Sequence, residues 1–291
     1  MDFEKFSKKT AEAVDKELKI LLKKWKSDVL KIDKSLVSLA DQFIQANKGG
    51  KRIRGVLVVL GYELSKLTTD YRQPTTAEGG RPKTEDILKI AASYEIFHTA
   101  ILAHDDVIDK SPIRRGQPSL YIALGGNHYG ISQAICLGDA GFFLAQQVIS
   151  ESNFPDKEKL EALKWFNQTI LDTAIGQMMD IKEGDSIIVA RYKTAKYTVS
   201  GPLVLGATLA GVSQGLIRVL EEFGENLGIA FQIQDDILDS EVDWLGGMDS
   251  AKKTAEQYKN KALKILPSIS KDKNMSKLLL QMADYLVQRT K

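Results

Sequence analysis

The stretch Thr84-Glu-Asp-Ile-Leu-Lys-Ile-Ala-Ala-Ser-Tyr-Glu-Ile-Phe-His-Thr-Ala-Ile-Leu-Ala-His-Asp-Asp-Val-Ile-Asp109 decides the fold class. Ile87, Ile90, Tyr94, Phe97 and Ile101 recur at steps of three and four, the spacing of one apolar stripe on an α-helix. Thr84 is the expected N-cap, with Glu85 and Asp86 in the first turn. The same period governs the rest of the chain. Val14, Leu18, Leu21, Leu22, Trp25, Val29, Ile32 and Leu36 form a second stripe; Leu160, Leu163, Phe166, Ile170, Ala174 and Met178 a third; Leu216 through Leu238 a fourth. No strand alternation with hairpin turns competes. The break at Thr68–Thr84, with Pro74, Gly79, Gly80 and Pro82, reads as a loop between helices. The expectation is one all-α domain over residues 1–291, a bundle of roughly ten or more helices.

Composition narrows the function. The 291 residues carry 40 Lys+Arg against 38 Asp+Glu, so a net charge of +2 gives no electrostatic reason to expect nucleic acid or an anionic membrane surface. The single cysteine, Cys136, excludes a disulfide framework, favours a reducing compartment such as the cytoplasm, and is expected to be a small buried apolar side chain. Residues 1–34 are charged throughout and lack the apolar run of a signal peptide. The 21 uncharged residues between Lys196 and Arg218 include Gly201, Pro202, Gly206, Gly211 and Gly215, too interrupted for a membrane span, and are expected to form a helix buried inside a soluble protein.

Two copies of one pattern carry the chemistry. His104-Asp-Asp-Val-Ile-Asp109 and Gln234-Asp-Asp-Ile-Leu-Asp239 each hold three aspartates, the first and last four apart and so on one helix face. Like charges at that spacing destabilise a helix, and aspartate is a poor interior helix former. Hard divalent cations would compensate: magnesium takes one or two carboxylates per ion and completes its shell with water and substrate phosphate. With no second cysteine and one nearby imidazole, zinc and copper are poorly supported, and neither cluster has the ligand spacing of an EF-hand. The alternative, a solvated helix end, is weakened by the repetition. Basic groups accompany the acids: Gly49, Gly50, Lys51, Arg52 and Arg54; Arg114, Arg115 and Gly116; Lys193 and Lys196. Singly each could be a solvated face, but together with the acids they fit a metal-bridged diphosphate.

With these residues in order, the chain resembles the trans-isoprenyl diphosphate synthases of the geranylgeranyl and polyprenyl type. Gly49-Gly-Lys-Arg-Ile-Arg54, His98 through Asp109, Arg114-Arg-Gly116, Gly138-Asp139, Gly176-Gln177 with Asp180, Lys193-Thr194 and Gln234 through Asp239 carry the resemblance, over roughly residues 40 to 260. It implies an all-helical bundle with a deep central cavity, usually a homodimer. It also implies a magnesium-dependent head-to-tail condensation of isopentenyl diphosphate with an allylic prenyl diphosphate. By the same resemblance Asp105, Asp109 and Asp235 are the principal ligands of about three Mg²⁺ ions, with Asp106, Asp236 and Asp239 supporting. Arg114, Lys193, Thr194 and Gln234 hold the allylic diphosphate; Lys51, Arg54, His98 and Arg115 hold isopentenyl diphosphate.

Two stretches depart from the family pattern. Residues 184–186 and 240–247 are where family loops look shortened or missing, so no lid lysine is named. A class I terpene cyclase, a non-catalytic regulatory subunit of a prenyl diphosphate synthase and a ligand-free helical scaffold are the competing readings. The two complete aspartate patterns argue against all three. Product length is read from the face below the first cluster, where Ile101 and Ala100, then Phe97 and Tyr94, form the expected wall about one helical turn apart. With no aromatic at Ala100 or Ile101, the resemblance implies products longer than farnesyl: geranylgeranyl, or a longer polyprenyl chain.

Overall fold

The structure is a computed structural model that describes residues 2–66 and 82–288; most of the expected loop at Thr68–Thr84 lies outside the described residues. The helical period is realised as α1 (Phe3–Ile32), α2 (Val37–Ala46), α3 (Ile53–Ser65), α4 (Thr84–Ile108), α5 (Leu120–Ala123), α6 (His128–Ser150), α7 (Asp156–Ile181), α8 (Ser186–Val189), a π-helix (Ala190–Ser200), α9 (Gly201–Leu209), α10 (Gln214–Asp239), α11 (Met248–Ile269) and α12 (Lys273–Val287). Among the described residues the sheet is one two-residue hairpin, β1 (Ile113–Arg114) with β2 (Gln117–Pro118). Arg115 and Gly116 turn it with φ of 53° and 71°, the left-handed pair that a tight two-residue hairpin demands. The chain is all-α, as the stripes require.

The helices gather in two compact units that interleave along the sequence. One comprises Ala11–Val56 and Lys83–Ser152; the other takes in the described parts of Met1–Thr10, Leu57–Pro82 and Asn153–Lys291. In the first, α4 lies along α6 with α5 beside them. Gly141 makes the closest approach: a methyl added there would fall 2.9 Å from the Ala100 Cβ and from the Phe43 ring. In the second, α10 is the central helix, packed on α11, on the π-helix and on α9. Gly206 and Gly61 let α9 and α3 touch backbone to backbone, since a methyl at either would collide with a carbonyl of the other.

Several expectations are corrected. The N-cap of α4 is Lys83, not Thr84; the Asp86 carboxylate accepts the Lys83 N–H at 2.7 Å, so the acid in the first turn closes the end. The stripe of α1 buries Val14, Leu18 and Leu22 but runs out with the helix, leaving Ile32 86% exposed and Leu36 in a separate 3₁₀ turn. On α7 the buried face is Ala162, Phe166, Thr169, Asp172, Thr173 and Gly176, whereas Leu160, Ala174 and Met178 of the expected stripe are exposed, as are Leu171 and Ile175. Small and hydroxylic residues face inward there because the neighbouring segment comes close, so hydrophobicity alone misplaces the face. The uncharged run after Lys196 is not one helix but the end of the π-helix, the buried α9, a turn at Gly211 (φ 74°) and the start of α10. No described helix is long and apolar enough to cross a membrane. Cys136 is exposed on α6, not buried.

Candidate active site

The first aspartate cluster ends α4. Asp105 and Asp106 lie in its last turn and Asp109 caps it, its N–H donating to the Asp105 carbonyl at 2.8 Å, so the helical spacing holds through Asp109. The second cluster ends α10 in the same way, where Ser240 turns the chain out with φ 64°. Both clusters therefore sit at the negative end of a helix dipole, where each carboxylate costs a further 0.3–1 kcal/mol or so. That is a different penalty from the helix-interior one expected, and it again calls for cations.

Inside each triplet the structure divides the labour. Asp106, the middle residue of the first, is buried and accepts from Arg114, whose Nε lies at 2.8 Å; Arg114 also stands 3.6 Å from Asp105. Burial pushes the Asp106 carboxyl up from its ordinary value, and Arg114 only partly opposes it. Asp236, the middle residue of the second, accepts from Gln232 Nε2 at 2.7 Å and from the Trp244 indole at 3.2 Å, and burial pushes it up as well. The outer pairs, Asp105 with Asp109 and Asp235 with Asp239, share a helix face in each case. Among the described residues no three His, Cys, Asp or Glu side chains converge as a ready-made metal cage. A pair of carboxylates per cluster fits magnesium, which is held by one or two carboxylates plus phosphate and water.

The basic groups of the first unit are brought together. Gly49, Gly50 and Arg52 take φ of 74°, 88° and 53°, bending the chain tightly before α3. Arg52 is not presented outward with its neighbours. It is buried, with Nε at 2.6 Å from Asp15, an N–H to the Asn47 carbonyl at 2.7 Å and Glu95 at 3.6 Å. Glu95 in turn accepts the Gly55 N–H at 2.8 Å, fixing the first turn of α3. That leaves Lys51 exposed and Arg54 beside His98: the His98 Nε2 lies 3.2 Å from Arg54 and 3.1 Å from Arg115. His98 is buried, and burial followed by the Arg54 and Arg115 charges holds its pKa well below the ordinary histidine value, so the ring is neutral. A neutral imidazole offers Nε2 as an acceptor to both guanidiniums. Arg114 and Arg115 also line a cleft of about 490 Å³ with Asp106, Thr99 and Gly50.

Glu95, and the inward turn of Arg52 onto it, are what the sequence pattern does not reveal. A glutamate embedded in the apolar stretch of α4 was the available signal, because a charge there must be paired. In the second unit, Lys193 pairs with Asp180 at 2.6 Å, and Gly176 lets the π-helix seat on α7, since a methyl there would collide with the Lys193 backbone. Gln177 Nε2 is buried without a hydrogen-bond partner. Thr194 lies on the π-helix and Gln234 on α10, beside the second cluster. Of the expected wall, Tyr94 and Phe97 are fully buried with rings edge-to-face at 5.2 Å, and Phe97 packs on Phe142 at 5.8 Å. Ala100 is fully buried at the contact with Gly141 of α6. Ile101 is partly buried, one turn before Asp105.

The sequence pattern of the polyprenyl synthetases matches residues 34–255, through both units. The chain belongs to the polyprenyl synthetase family. It is 35% identical over 212 residues to solanesyl-diphosphate synthase 2, chloroplastic, of Oryza sativa, covering 70% of this chain and 47% of that one. It is 31% identical over 201 residues to the geranylgeranyl diphosphate synthase of Sulfolobus acidocaldarius, covering 65% and 54%. The chain thus spans about half the length of these relatives. Its fold is that of the geranylgeranyl pyrophosphate synthase from Corynebacterium glutamicum, whose crystal structure is complexed with isoprenyl diphosphate and magnesium; the TM-score is 0.85 over 100% of both chains at 22% identity.

Proposed function

We propose that this chain is a prenyltransferase that condenses isopentenyl diphosphate head-to-tail with an allylic prenyl diphosphate, giving an all-trans geranylgeranyl or longer polyprenyl diphosphate. The observation that carries the reading is the division within each aspartate triplet, where the middle carboxylate is tied into the fold and the outer pair shares one helix face. Asp105, Asp109 and Asp235 would hold Mg²⁺, with Asp239 beside Asp235. When bound, magnesium supplies positive charge that neutralises the departing diphosphate.

The remaining roles fall to the chain's own residues. Arg54 and Arg115, drawn to one neutral imidazole, bring like charges together at a cost that an anion would offset, and with Lys51 they suit the diphosphate of isopentenyl diphosphate. Arg114, Lys193, Thr194 and Gln234 would orient the allylic diphosphate. Ile101, Ala100, Phe97 and Tyr94 would form the apolar wall below the first cluster, excluding the water that would capture an allylic cation. The exposed apolar face of α7, with Leu171, Ile175 and Met178, suits a second copy of the chain, and the reading includes a homodimer. A single exposed thiol suits a reducing compartment, here the cytoplasm.

Incubation with Mg²⁺, isopentenyl diphosphate and each of the C5, C10 and C15 allylic diphosphates tests the reading. Release of diphosphate with chain growth beyond C15 is expected. A cyclic hydrocarbon product would make the chain a terpene cyclase, and inactivity unless a partner synthase is added would make it a regulatory subunit. Because Ala100 packs on α6, the length test moves to Ile101→Phe, which should shorten the product by about one isoprene unit, a helical turn of about 5.4 Å being close to that length. Phe97→Ala should lengthen it.

A further inference from the structure

The π-helix at Ala190–Ser200 is unusual in length. Wide turns occur mostly as single-turn bulges at functional sites, and this one runs for 11 residues. Three glycines let its backbone seat closely: a methyl at Gly176 of α7, or at Gly224 or Gly228 of α10, would collide with Lys193, Ser200 or Ala195. Close seating permits the wide segment but does not fix its register.

One side chain bridges it to both flanking helices. Lys196 is largely buried and faces three carboxylates on the two flanking helices: Asp172 of α7 at 2.8 Å, and Glu225 and Glu221 of α10 at 3.1 and 3.7 Å. Arg191 stands 3.8 Å from Glu225, and Gln168 donates to Asp172 at 2.8 Å. Burial disfavours the ammonium, yet Asp172 and Glu225 more than offset it and raise its pKa, while burial raises that of Glu221. Lys193 reaches the other way, to Asp180, eight residues and about 12 Å further along α7. Two lysines three residues apart thus anchor the π-helix to two separate places on one neighbour.

Resting on the prenyltransferase reading, we propose that Lys196 is a positioning residue: its ion cluster holds the π-helix in the register that presents Lys193 and Thr194 to the allylic diphosphate. Lys259 of α11 is the control. It is buried, more so than Lys196, is paired with Asp284 at 2.9 Å and lies outside the π-helix. Lys196→Met, Lys196→Arg and Lys259→Met are compared with wild type in thermal unfolding, steady-state kinetics and hydrogen exchange of residues 190–200. Both Met variants should melt lower. Only Lys196→Met should raise the allylic KM, on the order of tenfold, with the isopentenyl diphosphate KM unchanged and exchange across 190–200 accelerated. Lys196→Arg, which keeps the charge, should recover most of the KM. If Lys196→Met and Lys259→Met behave alike in both kinetics and exchange, the cluster is merely structural and the proposal is overturned. If wild type turns nothing over, the prenyltransferase reading fails, while exchange still shows whether Lys196 holds the segment; unchanged exchange would overturn that as well.

Discussion

The C-terminal ends of α4 and α10 carry the same aspartate pattern, yet the fold stabilises them differently. At α4 the buried middle carboxylate meets a guanidinium, and Arg114 comes from the hairpin directly after the helix. At α10 the middle carboxylate meets neutral donors, Gln232 one turn back on the helix and the Trp244 indole just after it. The α10 end is then closed by Ser240 in the left-handed region, with the Glu241 N–H donating to the Asp236 carbonyl at 2.8 Å. Identical motifs thus share only the outer carboxylates; what holds the middle one is local to each helix. Shared features read as chemistry and divergent ones as architecture.

The largest effect should fall on what the two ends share. Asp105→Ala and Asp235→Ala should each lower prenyl transfer about 10³-fold, the scale for losing stabilisation of charge in a transition state, with helical content unchanged by circular dichroism. Loss at one cluster alone would break the equivalence of the two ends and leave the other as a capping device. Arg54→Ala should instead raise the KM for isopentenyl diphosphate more than that for the allylic substrate, and equal weakening of both would argue for one shared anion site.

The divergent residues should separate in stability. Asp106→Asn strands a guanidinium against a buried amide and should cost on the order of 2 kcal/mol, the buried-pair penalty discounted because Arg114 is partly exposed. Asp236→Asn keeps an acceptor for only one of Gln232 and Trp244, which donate to different carboxylate oxygens, but strands no charge, and should cost about 1 kcal/mol. Urea unfolding of the two variants measures the difference, and equal costs would show that the ionic partner adds nothing over the neutral ones.

Much of this was legible in the sequence and some was not, for reasons visible at particular residues. The aspartate spacing survives because a four-residue interval is a property of one helix, needing no tertiary knowledge. The all-α class follows from stripes that each helix carries on its own. The stripe on α7 holds at Phe166 but not at its ends, because Thr169, Thr173 and Gly176 are small enough to bury where a neighbouring segment comes close, while Leu160, Ala174 and Met178 stay outside. In the sequence Arg52 reads as one of a basic run with Lys51 and Arg54, but its left-handed φ and its ion pairs with Asp15 and Glu95 point it away from them. Those partners are distant in sequence, and a run of basic residues carries no sign of which one turns inward. The 11-residue π-helix has no composition signature at all; only its glycine neighbours, from two other helices, make room for it.

The smallest effect is a slope. His98 belongs to the α4 region and has no counterpart at α10, so acid sensitivity near neutrality should belong to the first unit. An unfolded histidine titrates near 6.5, whereas buried His98, flanked by Arg54 and Arg115, stays neutral well below that. On acidification the unfolded chain gains this proton and the folded one does not, so stability falls as pH drops from about 7 through 6.5 toward the depressed folded value. For one group the slope is at most about 1.4 kcal/mol per pH unit. Asp106 and Asp236 act with the opposite sign, because their raised values let the folded state take up protons first at lower pH. His98→Gln keeps a neutral acceptor for the two guanidiniums and cannot ionise. Urea unfolding of wild type and His98→Gln between pH 7.5 and pH 5.5, values chosen to bracket the ordinary pKa of about 6.5, should show the slope only in wild type. The same slope in both proteins would mean that His98 titrates normally in the folded state, and that the guanidiniums beside it are already neutralised by something other than substrate.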